Sequence, residues 1–146
     1  MKNSIVTLLF LVIAQVSLGD QVIVLSPFSH SRTVRKIIKT IKDKGLTHFL
    51  SIDHHKGAKK IGKSLRPTTL IIFGNPKVGT LLMEKDQSIG IDLPLKILVL
   101  ENEKGDVEVS YKRPSNFKAD YNLEAKKEVL KKMDKALYSI ASSVKK

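Results

Sequence analysis

The stretch LRPTTLIIFGNPKVGTLLMEKDQSIGIDLPLK, residues 65–96, decides the fold of this chain. Thr69–Phe73 is a continuous apolar run, which is typical of a central strand in a sheet. A Gly, Asn and Pro-rich loop follows at 74–80, and a second loop, GIDLP at 90–94, leads into another strand. Because such loops carry polar groups to the edge of a sheet, the block predicts a candidate site beside the central strand.

Helical and strand patterns extend on both sides of this block. A helix is predicted at 29–44, because apolar residues from Val34 to Ile41 recur at positions i, i+3, i+4 and i+7, and Gly45 can form its C-cap. A final helix at about 123–144 places its apolar residues on one face. Further strands are predicted at 21–25, 46–52, 95–100 and 107–111.

The connections complete the prediction of the fold class. Glu-Lys-Gly-Asp at 103–106 favours a hairpin turn, 57–64 one short helical turn, and 77–88 a short helix over the sheet. This order of elements predicts an α+β two-layer sandwich, with one mostly antiparallel sheet and two long helices on one face.

The first residues are typical of a secretory leader. Met1–Asn3 is positively charged, Ile5–Val16 is almost wholly apolar, and Ser17–Gly19 is small enough for a signal peptidase. The apolar run is shorter than the ~20 residues that span a bilayer. We therefore predict a signal peptide at 1–19, a single α+β domain at 20–146, and a secreted or periplasmic location. An uncleaved N-terminal anchor is the alternative.

Composition limits the chemistry. The chain has no cysteine, which excludes thiol catalysis and zinc ribbons, and its formal net charge is +12. Only four of the basic residues are arginines, the residue that reads bases and phosphates with a bidentate fork. We therefore predict no specific nucleic-acid binding, but a peripheral attraction to anionic envelope surfaces at low salt.

Two motifs are weaker than they look. Gly57–Ser64 matches the phosphate-loop pattern, but Pro67 prevents a long helix from starting at its Lys and Ser, so an ordinary turn is predicted. Asp53-His54-His55 offers metal ligands or a base, but neighbouring side chains on an extended strand point in opposite directions. We predict local hydrogen bonds there, with no metal and no cofactor.

The loops around the central strand leave two interpretations open. Arg66, Asn75, Lys77 and Thr80 can together hold an anion, or Arg66 can pair with Asp92 and brace the two loops, which we favour. Asp92 lies in an apolar stretch, so it needs a cation or several donors if it is buried.

These residues resemble the bacterial domain-of-unknown-function 302 family. The similarity runs over about 21–142 through Ile52–His54, Leu65–Thr68, the Phe73–Thr80 motif and Ile91–Lys96. It departs from the family pattern at Val78, Leu81 and His55. The resemblance implies a fold similar to the TATA-binding-protein-like arrangement, with helices on one antiparallel sheet. It also implies a homodimer in many members, and no known activity.

The leading hypothesis is a non-enzymatic exported domain that binds a small ligand or partner, in a cleft where six polar residues converge. These ligand-binding candidates are Asp53, His54, Arg66, Asn75, Thr80 and Asp92. One alternative is a hydrolase or isomerase that uses Asp53, His54 and Asp92. Another is a structural, envelope-associated oligomer whose block at 65–96 forms the dimer interface.

Overall fold

The computed structural model describes residues 21–145, so the predicted signal peptide lies outside the described residues. Strands and α-helices alternate along the first part of the described chain, and a hairpin and a long helix follow. Their bounds are β1 Gln21–Ser26, α1 His30–Asp43, β2 Thr47–Asp53, α2 His54–Lys60, β3 Thr68–Gly74, α3 Pro76–Met83, β4 Leu95–Glu101, β5 Val107–Lys112 and α4 Lys127–Ser142.

The strands form one five-stranded sheet in the order β1-β5-β4-β3-β2. Every neighbouring pair is antiparallel, and the predicted hairpin joins β4 to β5 through a turn in which Gly105 has a φ of +83°. The predicted α+β fold with one antiparallel sheet is therefore confirmed.

One face of the sheet and the two long helices enclose the main core. Side chains at alternate strand positions, such as Ile71 in β3 and Ile97 in β4, are fully buried. Ile37 and Ile41 of α1 and Leu137 of α4 pack in the same cluster. The helical spacing seen in the sequence thus places both long helices on the same side of the sheet.

A second, smaller core lies beside the first and joins α3 to α4. It contains Leu82 of α3, Ile89, Phe117, Leu123 and Leu130 of α4. Residues 87–91, 114–119 and 124–126 form 3-10 turns that supply part of this cluster. The final helix therefore begins at Lys127, a few residues later than predicted, because a 3-10 turn occupies the preceding residues.

The Gly57–Ser64 match forms the end of a short helix and a turn, and not a phosphate loop. A phosphate loop needs a helix that starts at its Lys and Ser. Here α2 starts earlier, at His54, and ends at Lys60, and Gly62 follows it with a φ of +71°. No helix of the described chain starts at Lys63 or Ser64.

Candidate functional site

Three of the predicted site residues lie at one end of the sheet. Asp53 ends β2, and its Oδ1 accepts a hydrogen bond of 2.8 Å from the backbone N–H of Lys56. This bond caps α2 and holds the pKa of Asp53 below its usual value. His54 is the exposed first residue of α2. Arg66 lies two residues before β3, at the same end, because Asp53 pairs with Thr69.

The other three lie at the opposite end. Asn75 follows β3 directly, and its Oδ1 accepts a 3.0 Å hydrogen bond from the backbone N–H of Lys77, which caps α3. Thr80 is exposed in α3. Asp92 precedes β4, whose first residue Leu95 pairs with the last part of β3.

The expected convergence of the six residues in one cleft is therefore wrong. The strand β3 separates the two groups, and at ~3.3 Å per residue its length is about 20 Å. Asp92 is consequently remote from Asp53 and His54, so these three side chains do not form one catalytic site. Ligand binding by either separate group stays a prediction.

The favoured brace between Arg66 and Asp92 is also wrong. Arg66 Nε donates to the carbonyl oxygen of Glu101 at 3.0 Å, and its guanidinium lies 3.8 Å from a carboxylate oxygen of Glu103. Asp92 Oδ2 instead accepts a 2.5 Å hydrogen bond from the hydroxyl of Tyr121. This hydrogen bond raises the pKa of Tyr121 to about 12.

Lys96 also binds the loop at Asp92. Its ammonium group donates to the backbone carbonyl oxygen of Asp92 at 2.7 Å. Burial lowers the pKa of Lys96, and the nearby charge of Asp92 partly opposes that effect. The GIDLP loop at 90–94 is thus fixed by two side chains, that of Tyr121 and that of Lys96 in β4.

Metal ligands do not assemble in the described chain. Within residues 21–145, no three His, Asp or Glu side chains come close enough together to hold a metal ion. His30 and His55 each hydrogen-bond a backbone carbonyl oxygen, of Val99 at 3.2 Å and of Leu65 at 2.5 Å.

A large cavity opens beside the Asn75–Asp92 end of the sheet. We call it the α3–α4 groove; it has a volume of about 740 Å³ and lies between α3, the 90–95 loop and residues 129–136 of α4. Its walls are mainly aliphatic or thioether side chains, among them Val78, Leu93, Leu95, Val129, Met133 and Ala136.

Few polar groups reach this groove. Asn75 and Thr80 lie along one wall, and Lys132 is the one charged side chain among the described residues that line it. Among residues 21–145, no carboxylate oxygen lies within 4.0 Å of the Lys132 ammonium group, which is the limit for an ion pair. The groove can therefore enclose an apolar body and offer a single cation to its polar end.

Gly79 has no side chain, which leaves part of the α3–α4 groove open. A Cβ atom at Gly79 would lie 3.9 Å from Leu93 Cδ1 and 4.0 Å from Met83 Cε, both ordinary van der Waals distances. A longer side chain at this position would extend into the groove.

Two of the predicted site residues line the groove, whereas the side formed by α4 was not predicted. Asn75 and Thr80 were singled out through the Gly and Pro-rich loop. Lys132 and Val129 fall within the predicted final helix, and nothing in the sequence relates that helix to a loop some forty residues earlier.

Comparison with known proteins agrees with this architecture. The family model described as "Domain of unknown function DUF302" matches residues 22–140. The crystal structure of an uncharacterized conserved DUF302 protein from Bacillus stearothermophilus has a TM-score of 0.78 at 17% identity, and the match covers 86% of this chain and 98% of that one. At this identity the likeness concerns the fold.

Curated relatives come from Brucella. The protein named fluoride-specific ion channel FluC 1 of Brucella suis is 40% identical over 90 residues, which is 62% of this chain and 35% of that protein. The Brucella abortus protein of the same name has the same identity over 33% of its length. The chain thus spans about a third of these relatives. Among residues 21–145, no helix is long and apolar enough to cross a membrane.

Proposed function

The chain belongs to the DUF302 family, a domain of unknown function, and on this premise we propose that it is a non-enzymatic module that binds a small ligand in the α3–α4 groove. The groove carries the proposal, because its volume of about 740 Å³ comes with almost wholly apolar walls. Small-molecule sites are typically apolar cavities of about 300–1,000 Å³ with a few placed polar groups.

The lining defines the class of ligand. An aliphatic body would bury its surface against Val78, Leu93 and Met133, which gains about 25 cal/mol per Å² of apolar surface. Lys132 would attract an anionic end at the rim. We therefore propose an amphiphile with one acidic group, such as a medium-chain carboxylate. The predicted leader at 1–19 supports a secreted or periplasmic setting for this binding.

Octanoate, with octanol as its uncharged counterpart, is the first probe. We expect octanoate to raise the melting temperature of the protein in a concentration-dependent way, because a ligand that binds only the folded state stabilises it. Octanol should give a smaller shift. Lys132→Met keeps the length of the side chain and removes its charge, so it should abolish the preference for the acid.

Gly79 provides the matched pair of variants. Gly79→Phe should fill the groove and abolish the shift with either probe, whereas Gly79→Ala adds only a Cβ atom at ordinary contact distance and should leave binding intact. Calorimetric titration with octanoate and octanol would give the affinities of the wild type and of the Lys132→Met, Gly79→Phe and Gly79→Ala variants. Equal octanoate binding by wild type and Gly79→Phe would contradict the proposal.

The Brucella relatives favour a second candidate function. They contain a stretch 40% identical to this chain within proteins named as ion channels, so we propose as the alternative an accessory module that works at a membrane. Cell fractionation tests this role: the protein should sediment with membranes at low salt and wash off at high salt. Full recovery in the soluble fraction at low salt would contradict it.

Fluoride itself is an unsuitable ligand for the groove. A small anion loses strong hydration on burial, and apolar walls with one ammonium group at the rim do not replace it. Sodium fluoride should therefore give the same melting temperature as sodium chloride at equal ionic strength, in wild type and in Lys132→Met alike.

A further inference from the structure

Phe49 is the single aromatic side chain among the described residues that line the α3–α4 groove. It is 46% exposed and belongs to neither of the two buried clusters of residues 21–145. Within the same residues no second aromatic ring pairs with it. Single exposed apolar residues are common on protein surfaces, so the position of this ring, rather than its exposure, carries the argument.

A β-bulge directs Phe49 towards the groove. His48 pairs with Phe73, and Leu50 pairs with Ile72, the residue before Phe73, so Phe49 is an extra residue without a partner in β3. Neighbouring side chains of a regular strand point to opposite faces. Here His48 shares the helical side of the sheet with the buried Phe73, and Phe49 lines the groove on that same side. Bulges are frequent next to functional sites, where they re-aim a side chain.

Gly74 leaves space beside the Phe49 ring. A Cβ atom at Gly74 would lie 3.5 Å from Phe49 Cε2 and 3.5 Å from Pro94 Cβ. The aromatic ring and the ring of Pro94 therefore border the same opening next to this glycine, and all three residues line the groove. A flat group can enter such an opening and contact the Phe49 ring directly.

Thioether sulfur is the second feature of the groove that favours an aromatic ligand. Two of the three methionines of the chain, Met83 and Met133, line the groove. Glycines leave Met83 uncovered: a Cβ atom at Gly90 would lie 3.6 Å from its Sδ, and one at Gly79 would lie 4.0 Å from its Cε. The polarisable sulfur of methionine makes favourable contacts with aromatic rings at about 5 Å. An alkyl chain in the groove gains no such contact.

From these observations we infer that the ligand of the α3–α4 groove is an aromatic acid, and that Phe49 and Met83 select its ring. The inference rests on the proposed function, because it concerns the same groove, and it narrows the ligand from any acidic amphiphile to one that carries a ring. The ring packs edge to face or offset-stacked against Phe49, with centroids about 4.5–7 Å apart. Lys132 attracts the carboxylate. Since Lys132 belongs to α4 and Phe49 to β2, a short alkyl linker joins the two parts of the ligand.

A saturated ring of similar size separates aromatic contacts from simple burial. The probes 4-phenylbutanoate and 4-cyclohexylbutanoate share the linker and the acid and differ only in the ring. The cyclohexyl ring is the more apolar of the two, so burial alone favours 4-cyclohexylbutanoate. Contacts with an aromatic side chain and with a thioether act in the opposite direction. The ratio of the two dissociation constants therefore measures the selection of an aromatic ring.

Calorimetric titration with both ring acids tests the role of Phe49. We expect the preference of the wild type for 4-phenylbutanoate over 4-cyclohexylbutanoate to fall about two- to ten-fold in Phe49→Leu, which is the size of one aromatic pair. Phe49→Tyr keeps the ring and should keep the preference. Leu50→Ala is the matched control: Leu50 is also 46% exposed but does not line the groove, so its truncation should leave the preference unchanged.

Two further measurements complete the test. Met83→Leu removes the sulfur and keeps an apolar side chain of similar volume, so it should also lower the preference for the phenyl ring. Nuclear Overhauser effects probe the contact in the wild-type protein, without any substitution. We expect cross-peaks between the phenyl protons of bound 4-phenylbutanoate and the ring protons of Phe49, and their absence from the saturated complex overturns the inference.

The failure of this inference differs from the failure of the proposed function. If octanoate and both ring acids bind, and the preference is the same in wild type and in Phe49→Leu, the groove accepts acidic amphiphiles without selecting a ring. That result overturns this inference alone. If none of the three acids binds, the proposed function is contradicted and the inference falls with it.

Discussion

The hydrogen bond from the Tyr121 hydroxyl to Asp92 makes the stability of the protein depend on pH. It raises the pKa of Tyr121 from 10.0 to about 12 in the folded state. The neutral hydroxyl therefore contributes stability that is fully present below pH 10 and is lost as the pH rises towards 12. We expect the free energy of unfolding of the wild type to fall over this range by more than that of Tyr121→Phe.

Ultraviolet titration of the tyrosinates provides the direct measurement. In Asp92→Asn the pKa of Tyr121 should return towards 10.0, since the hydrogen bond to the carboxylate is the main cause of its rise. Burial raises the pKa of Tyr111 independently, so its late titration should remain in both variants and serves as an internal control. Identical titration curves for wild type and Asp92→Asn would refute the assignment.

Asp92 illustrates which features of a residue can be predicted from sequence. The sequence predicted a cation or several donors for Asp92 if it is buried, whereas the side chain is only half-buried and its carboxylate accepts from one hydroxyl. The donor is Tyr121, 29 positions later in a segment without strong periodicity. Only the fold brings Tyr121 to Asp92, so the sequence pattern could not identify Tyr121 as the donor.

Among the single elements, α3 depends on its first turn. The Asn75 side chain accepts from the backbone N–H of Lys77, and Pro76 occupies the first helical position, where a missing N–H costs nothing. We expect Asn75→Ala to lower the free energy of unfolding by about 1 kcal/mol. Urea denaturation would measure the change.

Asn75→Asp separates the cap from any role in binding. Aspartate caps helices as well as asparagine, so stability should stay close to that of the wild type. If Asn75→Asp destabilises the protein as much as Asn75→Ala does, the amide has a role other than capping. The prediction that Asn75 binds a ligand would then gain support.

Neighbouring positions of β3 should respond differently to truncation. Ile71 is fully buried under the helices, so Ile71→Ala should cost about 2–5 kcal/mol of unfolding free energy. Ile72, the next residue along the strand, points to the opposite face of the sheet and is partly exposed. Because less of its side chain is removed from water, Ile72→Ala should cost less than half as much.

Urea denaturation would measure the loss for each variant. Equal losses for Ile71→Ala and Ile72→Ala would contradict the assignment of these two side chains to a buried face and a partly exposed face of the sheet.

At the scale of elements, periodicity predicted most of the fold. The predicted helix at 29–44 is α1, and its apolar stripe is the buried face. The 3-10 turns between β5 and α4 were missed, because segments of three to six residues carry too little pattern. They owe their shape to Phe117 and Leu123, which pack in the second core.

For the whole molecule, the fold class could be predicted and the candidate site could not. The loops before and after a strand lie at its opposite ends, so the length of β3 places Arg66 and Asn75 far apart. The groove needs α4 beside α3, a contact between distant parts of the chain. Such contacts depend on how the layers pack, which a single sequence does not display.

The charge of the whole molecule leads to the last prediction. A net charge of +12 should attract the protein to vesicles of anionic phospholipid. At an ionic strength of ~0.01 M the Debye length is ~30 Å, so many lysines act together, whereas at 0.15 M it is ~8 Å and only the nearest contribute. Binding in a vesicle flotation assay should therefore be strong at low salt and largely lost at 0.15 M.

Neutral phosphatidylcholine vesicles and Ile23→Arg separate charge from apolar contact in this assay. Electrostatic attraction predicts no binding to neutral vesicles, and slightly stronger binding to anionic ones for Ile23→Arg, which adds a positive charge. If the sheet face that carries Ile23 and points away from α1 and α4 inserted into lipid, wild type would bind neutral vesicles and keep its binding at high salt, and Ile23→Arg would lose it. That outcome would replace the diffuse attraction by a lipid surface packed against the sheet.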